Sequence, residues 1–281
     1  MKENLTIIFV SYFSEKKIIK YIERLDNKYK IIIIDNANDH FLEKNLKKLQ
    51  NIEIITNKKN IGFGSATNQA LRKLKTKYAL HLDIDTNISL SSIDTMIKTA
   101  DKIQDFAILA PKIFNHKYSN KSYIKKNYFE NTHLMNFVEG CCLFFKVNEI
   151  EEIGYFDENF FLYYEETDLV KRLTDKNKKV ILLDNISIEH EGRASVDTKY
   201  NDQIEVNRNW HYMWSKFYYH KKHFGYMIAI FKIAKSFFSS GLKSVFFSIT
   251  GNKSKKDKYS ARFSGCLNSI LLKKSWYRPK L

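Results

Sequence analysis

Cysteine is scarce in this sequence, and its three copies are poorly placed for cross-linking or for holding a metal. Two of them, Cys141 and Cys142, are adjacent, and the third is Cys266. An odd number of cysteines with an adjacent pair fits neither a disulfide framework nor the usual spacing of zinc ligands. We therefore predict three reduced thiols in the core, without a metal role.

The sequence also lacks a glycine-rich turn after its first apolar run. A dinucleotide-binding domain needs Gly-x-Gly-x-x-Gly at that point so that the backbone can approach the pyrophosphate. Here the run at residues 5–13, LTIIFVSYF, leads into Ser14 and Glu15 without a glycine. NAD binding is therefore disfavoured, and so is a sugar-nucleotide pyrophosphorylase, whose loop would be rich in glycine and carry an arginine.

Acidic residues are almost absent from the last quarter of the chain. Lysine and arginine outnumber aspartate and glutamate by 16 to 1 in residues 206–281, against 31 to 30 in residues 1–205. We expect these two ranges to be separate regions, a near-neutral catalytic or binding domain and a basic helical tail. Such a tail suits an anionic surface, either a membrane or a polynucleotide. No nucleic-acid recognition motif accompanies the charge, so nucleic acid is not expected.

An apolar run of the roughly 20 residues needed to cross a bilayer is missing as well. Residues 230–249 instead predict a helix with a wide apolar face and a narrow polar stripe, which lies well in a membrane interface. The alternative is a helix packed on the protein's own body. The N-terminus shows no signal-peptide pattern, so we expect a cytoplasmic protein on the inner face of the cytoplasmic membrane. The polar stripe and the lysines available to anionic headgroups are Lys232, Lys235, Ser236, Ser239, Ser240, Lys243 and Ser244, then Lys253, Lys255, Lys256 and Lys258.

The body alternates apolar runs with amphipathic stretches. This rhythm predicts an α/β fold with a mostly parallel sheet covered by helices on both faces. In such sheets ligands bind beyond the carboxyl ends of the strands. The predicted strands are residues 5–13, 30–34, 52–56, 78–84, 106–114, 136–147 and 179–190, and the predicted helices are 15–25, 41–49, 65–74 and 91–103. We interpret the polar stretch 115–133 as a surface excursion and place the domain boundary near 191–206.

Two aspartates one residue apart end the buried run YALHL. On a strand, side chains two residues apart project to one face, so Asp83 and Asp85 can present both carboxylates to the same cation. Hard oxygen ligands suit Mg²⁺ or Mn²⁺, which can neutralise a departing diphosphate. The alternative is a solvated turn that closes the strand.

Six segments occur in a characteristic order: IIIIDNAND (31–39), NKKNIGFGSATNQAL (57–71), LHLDIDT (80–86), FVEGCCLFF (137–145), GYFDENFFLYYEETDLVKRL (154–173) and IEHEGRAS (188–195). With this set the sequence resembles glycosyltransferase family 2, especially the rhamnosyltransferase-like branch, over roughly residues 5–225. The resemblance implies a GT-A fold and an inverting transfer of a sugar from a UDP-, GDP- or dTDP-sugar, and the branch suggests rhamnose as that sugar. The acceptor it implies is a hydroxyl of a cell-surface polysaccharide or a lipid-linked glycan.

Carried over by position, the resemblance assigns a nucleotide-sugar site. Asp35 would contact the nucleobase and Tyr12 would help to wall its pocket; the alternative for Asp35 is a turn residue that starts a loop. A loop and helix start on the nucleotide side would include Asn60, Gly62 and Asn68, for which capping is the alternative. The donor site would also include Asp83.

The resemblance also assigns a metal site and a catalytic base. Asp85 is the firmest metal position, with Asp83 beside it, and His190 would complete the metal or diphosphate site. The family usually has Glu-Asp-x-Asp-Leu at the start of a helix, whereas residues 165–169 read Glu-Glu-Thr-Asp-Leu, so Glu166 replaces the usual Asp. Glu166 would take the proton of the acceptor hydroxyl, with Asp168 and Glu165 as substitutes. The alternative is that these acids only complement the positive end of a helix.

Two other functions stay open from the sequence. The Glu166 substitution could mark a module that binds a nucleotide sugar without turning it over. The basic tail could mark a nucleic-acid-binding protein.

Overall fold

The structure is a computed structural model that describes residues 4–25, 28–38, 40–46, 48–114, 123–192 and 201–278. The chain divides into two compact units. The first comprises residues 1–157 and 166–196, and the second comprises residues 158–165 and 197–281. The boundary predicted between residues 205 and 206 falls inside a helix of the second unit. The wider region predicted to contain the domain boundary, 191–206, includes residues 193–200, which lie outside the described ranges.

The first unit is built on one mixed sheet, in which ten strands lie among the described residues. Its strands run in the order β3-β2-β1-β4-β9-β6-β10-β8-β7, with β5 paired to β10. The first four in this order are parallel, as predicted from the alternation of strands and helices, and β9 enters antiparallel between β4 and β6. The strands are β1 (Leu5–Ser11), β2 (Lys30–Asp35), β3 (Ile52–Thr56), β4 (Tyr78–Leu82), β5 (Thr86–Asn87), β6 (Ile108–Phe114), β7 (Tyr123–Phe129), β8 (Thr132–Met135), β9 (Cys142–Lys146) and β10 (Val180–His190).

Helices cover both faces of this sheet because its inner strands are apolar on both sides. Along β1, Ile7 and Phe9 join one hydrophobic core and Ile8 joins the other, which is the two-residue period of a strand. The first core also receives residues of α1 and α4, and the second receives residues of α3 and α6. The helices are α1 (Glu15–Arg24), α2 (Phe41–Leu46), α3 (Phe63–Leu71), α4 (Leu90–Lys102), α5 (Val147–Glu152) and α6 (Glu165–Asp175).

The predicted surface excursion at 115–133 is wrong in its second half. Residues 115–122 lie outside the described ranges, but β7 and β8 form an antiparallel hairpin, and β8 pairs with β10 through Leu134 and Ile181. This hairpin forms the edge of the sheet, where charged and polar side chains are favoured, so its composition resembles that of a loop. The predicted strand at 136–147 is likewise shorter and covers only Cys142–Lys146.

The three cysteines are free and buried, as predicted. Cys142 begins β9 in the first unit and Cys141 directly precedes it, and Cys266 lies in a helix of the second unit.

The second unit consists of α7 (Asn201–Phe224), α8 (Tyr226–Ile249) and α9 (Lys253–Ile270) packed on one another. Its core includes Met213, Phe217, Ile233 and Cys266. Within the described part of the chain, no helix has both the length and the apolarity needed to cross a membrane.

Gly265 permits a close approach between α7 and α9. A Cβ atom at this position would lie 2.3 Å from the carbonyl oxygen of Trp210 and 3.3 Å from Cβ of Met213. Such a distance to backbone cannot be relieved by a side-chain rotation, so the helices touch here only because the residue has no side chain.

We expect Gly265→Ala to destabilise the second unit, although the same change in a helix ordinarily stabilises by about 1 kcal/mol. The measurement is the thermal unfolding midpoint of α7–α9, with Ser254→Ala on the exposed start of α9 as the control. An unchanged or raised midpoint for Gly265→Ala would show that the helices are farther apart than described here.

Candidate active site

The end of β4 holds an acidic site in place through backbone hydrogen bonds. The amide of Asp83 donates to the carbonyl of Cys141 at 2.8 Å, and the amide of Thr86 donates to the carbonyl of Asp83 at 3.0 Å. The short strand β5 then pairs antiparallel with the end of β10, where Thr86 lies opposite His190. The amide of Glu191 donates to the carbonyl of Asp85 at 3.1 Å. Residues about a hundred positions apart in the sequence are thus fixed side by side.

This pairing brings one imidazole against two carboxylates. The Nε2 atom of His190 lies 3.3 Å from Oδ1 of Asp85 and 3.8 Å from Oδ2 of Asp83. Burial lowers the pKa of His190, but the hydrogen bond to Asp85 and the charges of Asp85 and Asp83 outweigh it, so its pKa is raised. The imidazole is therefore held where negative charge is concentrated.

The donor set fits a divalent cation. Ligand atoms of Asp83, Asp85 and His190 all lie within 4.8 Å of one another. Two carboxylates and one imidazole suit Mn²⁺ or Mg²⁺, which prefer oxygen-rich sites. A second group shares His190 and adds Glu139 and Cys141. Burial, followed by the charge of Asp83, raises the pKa of the Cys141 thiol well above its usual value, so the protonated thiol is a poor ligand. The first group is the better cation site.

His81 is a site residue that sequence reasoning missed. It is buried, and its Nε2 atom lies 3.2 Å from Oδ1 of Asp83. The ring of Phe63 packs edge-on against its imidazole at 4.7 Å between centroids. A hydrogen bond to a metal-binding carboxylate fixes its orientation. The signal was present in the sequence, because His81 precedes Asp83 by two residues and so projects to the same face of the strand.

Glu166 has the properties of a general base. It is partly buried in the first turn of α6. Burial raises its pKa to about 7; the charges of Glu139 and Asp83 act in the same direction, whereas hydrogen bonds from the backbone of Glu166 and Thr167 oppose them. A carboxylate with a pKa near neutral holds a transferred proton better than an ordinary glutamate does.

The two substitutes proposed for the base have different surroundings. Asp168 is buried, and its Oδ2 accepts a hydrogen bond of 2.8 Å from Nε of Arg172. Arg172 also donates to the carbonyl oxygens of Ile153 and Tyr155, so the pair secures the turn that follows α5. Glu165 is buried as the first residue of α6. The contacts of Asp168 favour a structural role, and Glu166 remains the preferred base.

The predicted nucleobase residues lie at neighbouring strand ends. Asp35 ends β2 opposite Ser11 at the end of β1, and Tyr12 follows directly. Asp35 is buried, and its Oδ1 accepts a hydrogen bond of 2.8 Å from the amide of Ala37, which is the geometry of the turn alternative. Because β1 lies between β2 and β4 and the three strands are parallel, Asp83, which follows β4, lies at the same edge of the sheet.

The loop before α3 is locally stabilised. Oδ1 of Asn60 accepts a hydrogen bond of 2.9 Å from the amide of Gly62, which precedes α3 with a φ of 91°. Asn68 is buried inside α3, where its amide group donates to and accepts from the backbone of Phe156 at 2.9 and 3.0 Å. Asn68 therefore joins α3 to the turn after α5, a role the sequence did not suggest. The positions Arg193 and Ser195 of the motif that follows His190 lie outside the described residues.

The family described as glycosyl transferase family 2 matches residues 6–154, more than half of the chain. The chain belongs to this family. It is 24% identical to the low-salt glycan biosynthesis hexosyltransferase Agl10 of Haloferax volcanii over 197 residues, which are 63% of this chain and 64% of that protein. It is 24% identical to the rhamnosyltransferase WbbL of Escherichia coli K12 over 201 residues, 60% of this chain and 76% of that protein. The match thus spans under two thirds of the first relative.

Solved structures confirm the predicted GT-A fold. The mannosyltransferase PcManGT from Pyrobaculum calidifontis, in complex with GDP-Man and Mn²⁺, superposes with a TM-score of 0.61 at 11% identity, covering 98% of this chain and 89% of that one. S. aureus TarS 1-349 in complex with UDP-GlcNAc gives 0.57 at 12% identity, covering 98% and 93%. At these identities the likeness shows the fold.

We expect Asp85→Asn to weaken Mn²⁺ binding at least about tenfold, because one of two carboxylate ligands becomes neutral. Titration calorimetry with Mn²⁺ measures this directly. The control is Asp184→Asn, which removes an exposed carboxylate paired with Lys112 elsewhere in the same unit. Equal Mn²⁺ affinity in the wild type and Asp85→Asn would exclude this cation site.

We expect Arg172→Met to destabilise the first unit by about 3 kcal/mol or more, because it leaves the Asp168 carboxylate buried without this partner. The adjacent control, Lys171→Met, removes the more exposed pair with Asp175, and a pair of that kind is worth about 1 kcal/mol or less. Hydrogen exchange of the β4 and β9 amides reports the stability of this unit alone. Similar losses in the two variants would contradict the structural role of Arg172.

Proposed function

We propose that this protein is an inverting, metal-dependent glycosyltransferase that moves a sugar from a nucleotide donor to an acceptor hydroxyl. The observation that carries the proposal is the cluster of Asp83, Asp85 and His190 in the same unit as Glu166, whose pKa is raised in part by the charge of Asp83. A cation site and a base within electrostatic reach of each other are the two groups that such a transfer requires.

The donor would lie along the carboxyl ends of β2, β1 and β4. Asp35 and Tyr12 would contact the nucleobase, with Asn60, Gly62 and Asn68 shaping the adjoining loop and helix. Asp83, Asp85 and His190 would hold a divalent cation, which when bound neutralises charge on the departing diphosphate. The donor is a UDP-, GDP- or dTDP-sugar, and similarity to a rhamnosyltransferase favours rhamnose.

Glu166 would accept the proton of the acceptor hydroxyl as that oxygen attacks the anomeric carbon. The bond from this carbon to the nucleotide diphosphate breaks on the opposite face, so the configuration inverts and no covalent intermediate forms. Glu166 is one methylene longer than the usual Asp, and its position in the first turn of α6 offers backbone N–H groups that hold the carboxylate.

The acceptor would be a cell-surface polysaccharide or a lipid-linked glycan at the inner face of the cytoplasmic membrane. In this arrangement residues 1–205 provide the catalytic domain, and the basic region 206–281 meets the anionic membrane surface. We do not expect nucleic acid as a partner, because the positive charge of the tail is the only feature that favours nucleic-acid binding.

We expect Glu166→Gln to lower the rate of sugar transfer by about a hundredfold or more while donor affinity changes little. Only the carboxylate form can accept a proton, so the wild-type rate should fall as the pH drops below the pKa of Glu166. The measurement is turnover against pH, with donor binding followed by thermal shift.

The control Asp184→Asn should keep both turnover and its pH profile. Turnover within a few-fold of wild type in Glu166→Gln would instead move the base to Asp168 or Glu165. Donor binding without any transfer by the wild type, on any acceptor tried, would favour the binding module. A screen of UDP-, GDP- and dTDP-sugars with Mn²⁺ or Mg²⁺, followed by mass analysis of products, identifies the donor.

A further inference from the structure

One side of α8 presents large apolar side chains to solvent along its whole length. Phe231 and Leu242 are each 74% exposed, and Ile249 is 81% exposed. The exposed residues recur at three-and-four spacing, so they share one face covering about a third of the helix circumference. We call this the α8 face; its members are Met227, Ile228, Phe231, Phe238, Leu242, Val245, Phe246 and Ile249.

The α8 face is not needed for packing inside the second unit. The opposite side of the helix does this packing: Ala229, Ile233 and Ser240 are buried, and Oγ of Ser244 lies 2.6 Å from Oγ of Ser260 on α9. A Cβ at Gly241 would lie 3.3 Å from the ring of Phe263. Large apolar side chains therefore lie on both sides of α8: Ile233 and Phe237 pack inside the unit, and the α8 face is exposed to solvent.

Positive charge surrounds the α8 face. Lys232, Lys235 and Lys243 are exposed on α8 itself, with Lys235 on the same side as the apolar residues. The first turn of α9 adds exposed Lys253, Lys255 and Lys256, and residues 206–281 hold 16 basic residues and one acidic residue. A second copy of this chain would bring the same charge to a shared interface, where like charges repel. An anionic lipid surface is complementary to both the apolar and the charged parts.

We propose that the α8 face inserts into the interfacial layer of an anionic lipid bilayer, with the helix lying in the membrane plane. The face extends from Met227 to Ile249, about 33 Å at the rise of an α-helix. Its aromatic and aliphatic side chains enter the boundary of the acyl chains, while the lysine stems let their charged ends reach the headgroups. Insertion of apolar side chains and attraction of lysines to anionic headgroups are the two contributions that stable peripheral membrane binding needs. The inference rests on the proposed function for its membrane partner and adds the surface that does the binding.

The test is flotation of the full-length protein with phosphatidylcholine vesicles, with and without about 30% phosphatidylglycerol. The variant carries Phe231→Ser and Phe238→Ser. Its matched control carries Phe114→Ser and Phe129→Ser, two exposed phenylalanines of the first unit. We expect the wild type to float with anionic vesicles, the α8 variant to bind at least about tenfold more weakly, and the control to bind within twofold of the wild type. Lys253→Gln with Lys255→Gln and Lys256→Gln should weaken binding to anionic vesicles only.

Three results would overturn the inference: a wild type that does not float, an α8 variant that floats as well as the wild type, or a wild-type dimer in solution that the α8 variant converts to monomer. The last would assign the α8 face to a second copy of the chain. Thermal shift with nucleotide-sugar donors is measured on the same proteins. A donor shift without flotation overturns the membrane surface alone, whereas flotation without any donor shift contradicts the proposed transfer reaction.

Discussion

The candidate site depends on the pairing of β5 with the end of β10. That short antiparallel pair places Thr86 opposite His190 and so holds an imidazole against the carboxylates of Asp83 and Asp85. Two carboxylates held close together repel each other unless a proton or a positive group is also present. A bound divalent cation would supply that charge, with the neutral imidazole of His190 as a further ligand. A shift of one residue in this register would turn His190 to the other face of the strand and leave the carboxylates without it.

The fold was largely predictable from the sequence because buried strands must be apolar on both faces. β2 and β3 were predicted within a residue of their observed bounds, since each is a short apolar run closed by a polar residue. The β7–β8 hairpin was not, because an edge strand can carry the composition of a loop. Asp83 and Asp85 were predicted as cation ligands from their local spacing, whereas His190 was predicted only from the family resemblance. The pairing of His190 with Asp85 spans a hundred residues, and no local pattern encodes it.

The tail shows a different limit of prediction. Its sequence correctly indicated a helix with apolar and polar sides, but the pattern alone does not say which side is buried. That choice is made by α9, where Ser260 and Phe263 accept the serines and glycine of α8. The buried side combines small residues, which permit close helix packing, with Ile233 and Phe237, and a second set of bulky apolar residues stays exposed. An amphipathic pattern therefore does not define the buried side of a helix until the partner helix is known.

The acidic residues at the start of α6 are close in sequence but have different surroundings. Residues two apart on a helix do not face each other, so Glu166 and Asp168 enter different surroundings. Asp168 projects toward Arg172 one turn later and is neutralised by it. Glu166 instead meets the negative charges of Glu139 and Asp83, which help burial to raise its pKa. The carboxylate of Asp168 is thus engaged in an ion pair, whereas burial and nearby negative charge raise the pKa of Glu166 and favour its uptake of a proton. The environment of the carboxylate, more than the identity of the acid, thus makes Glu166 our candidate for the base in preference to Asp168.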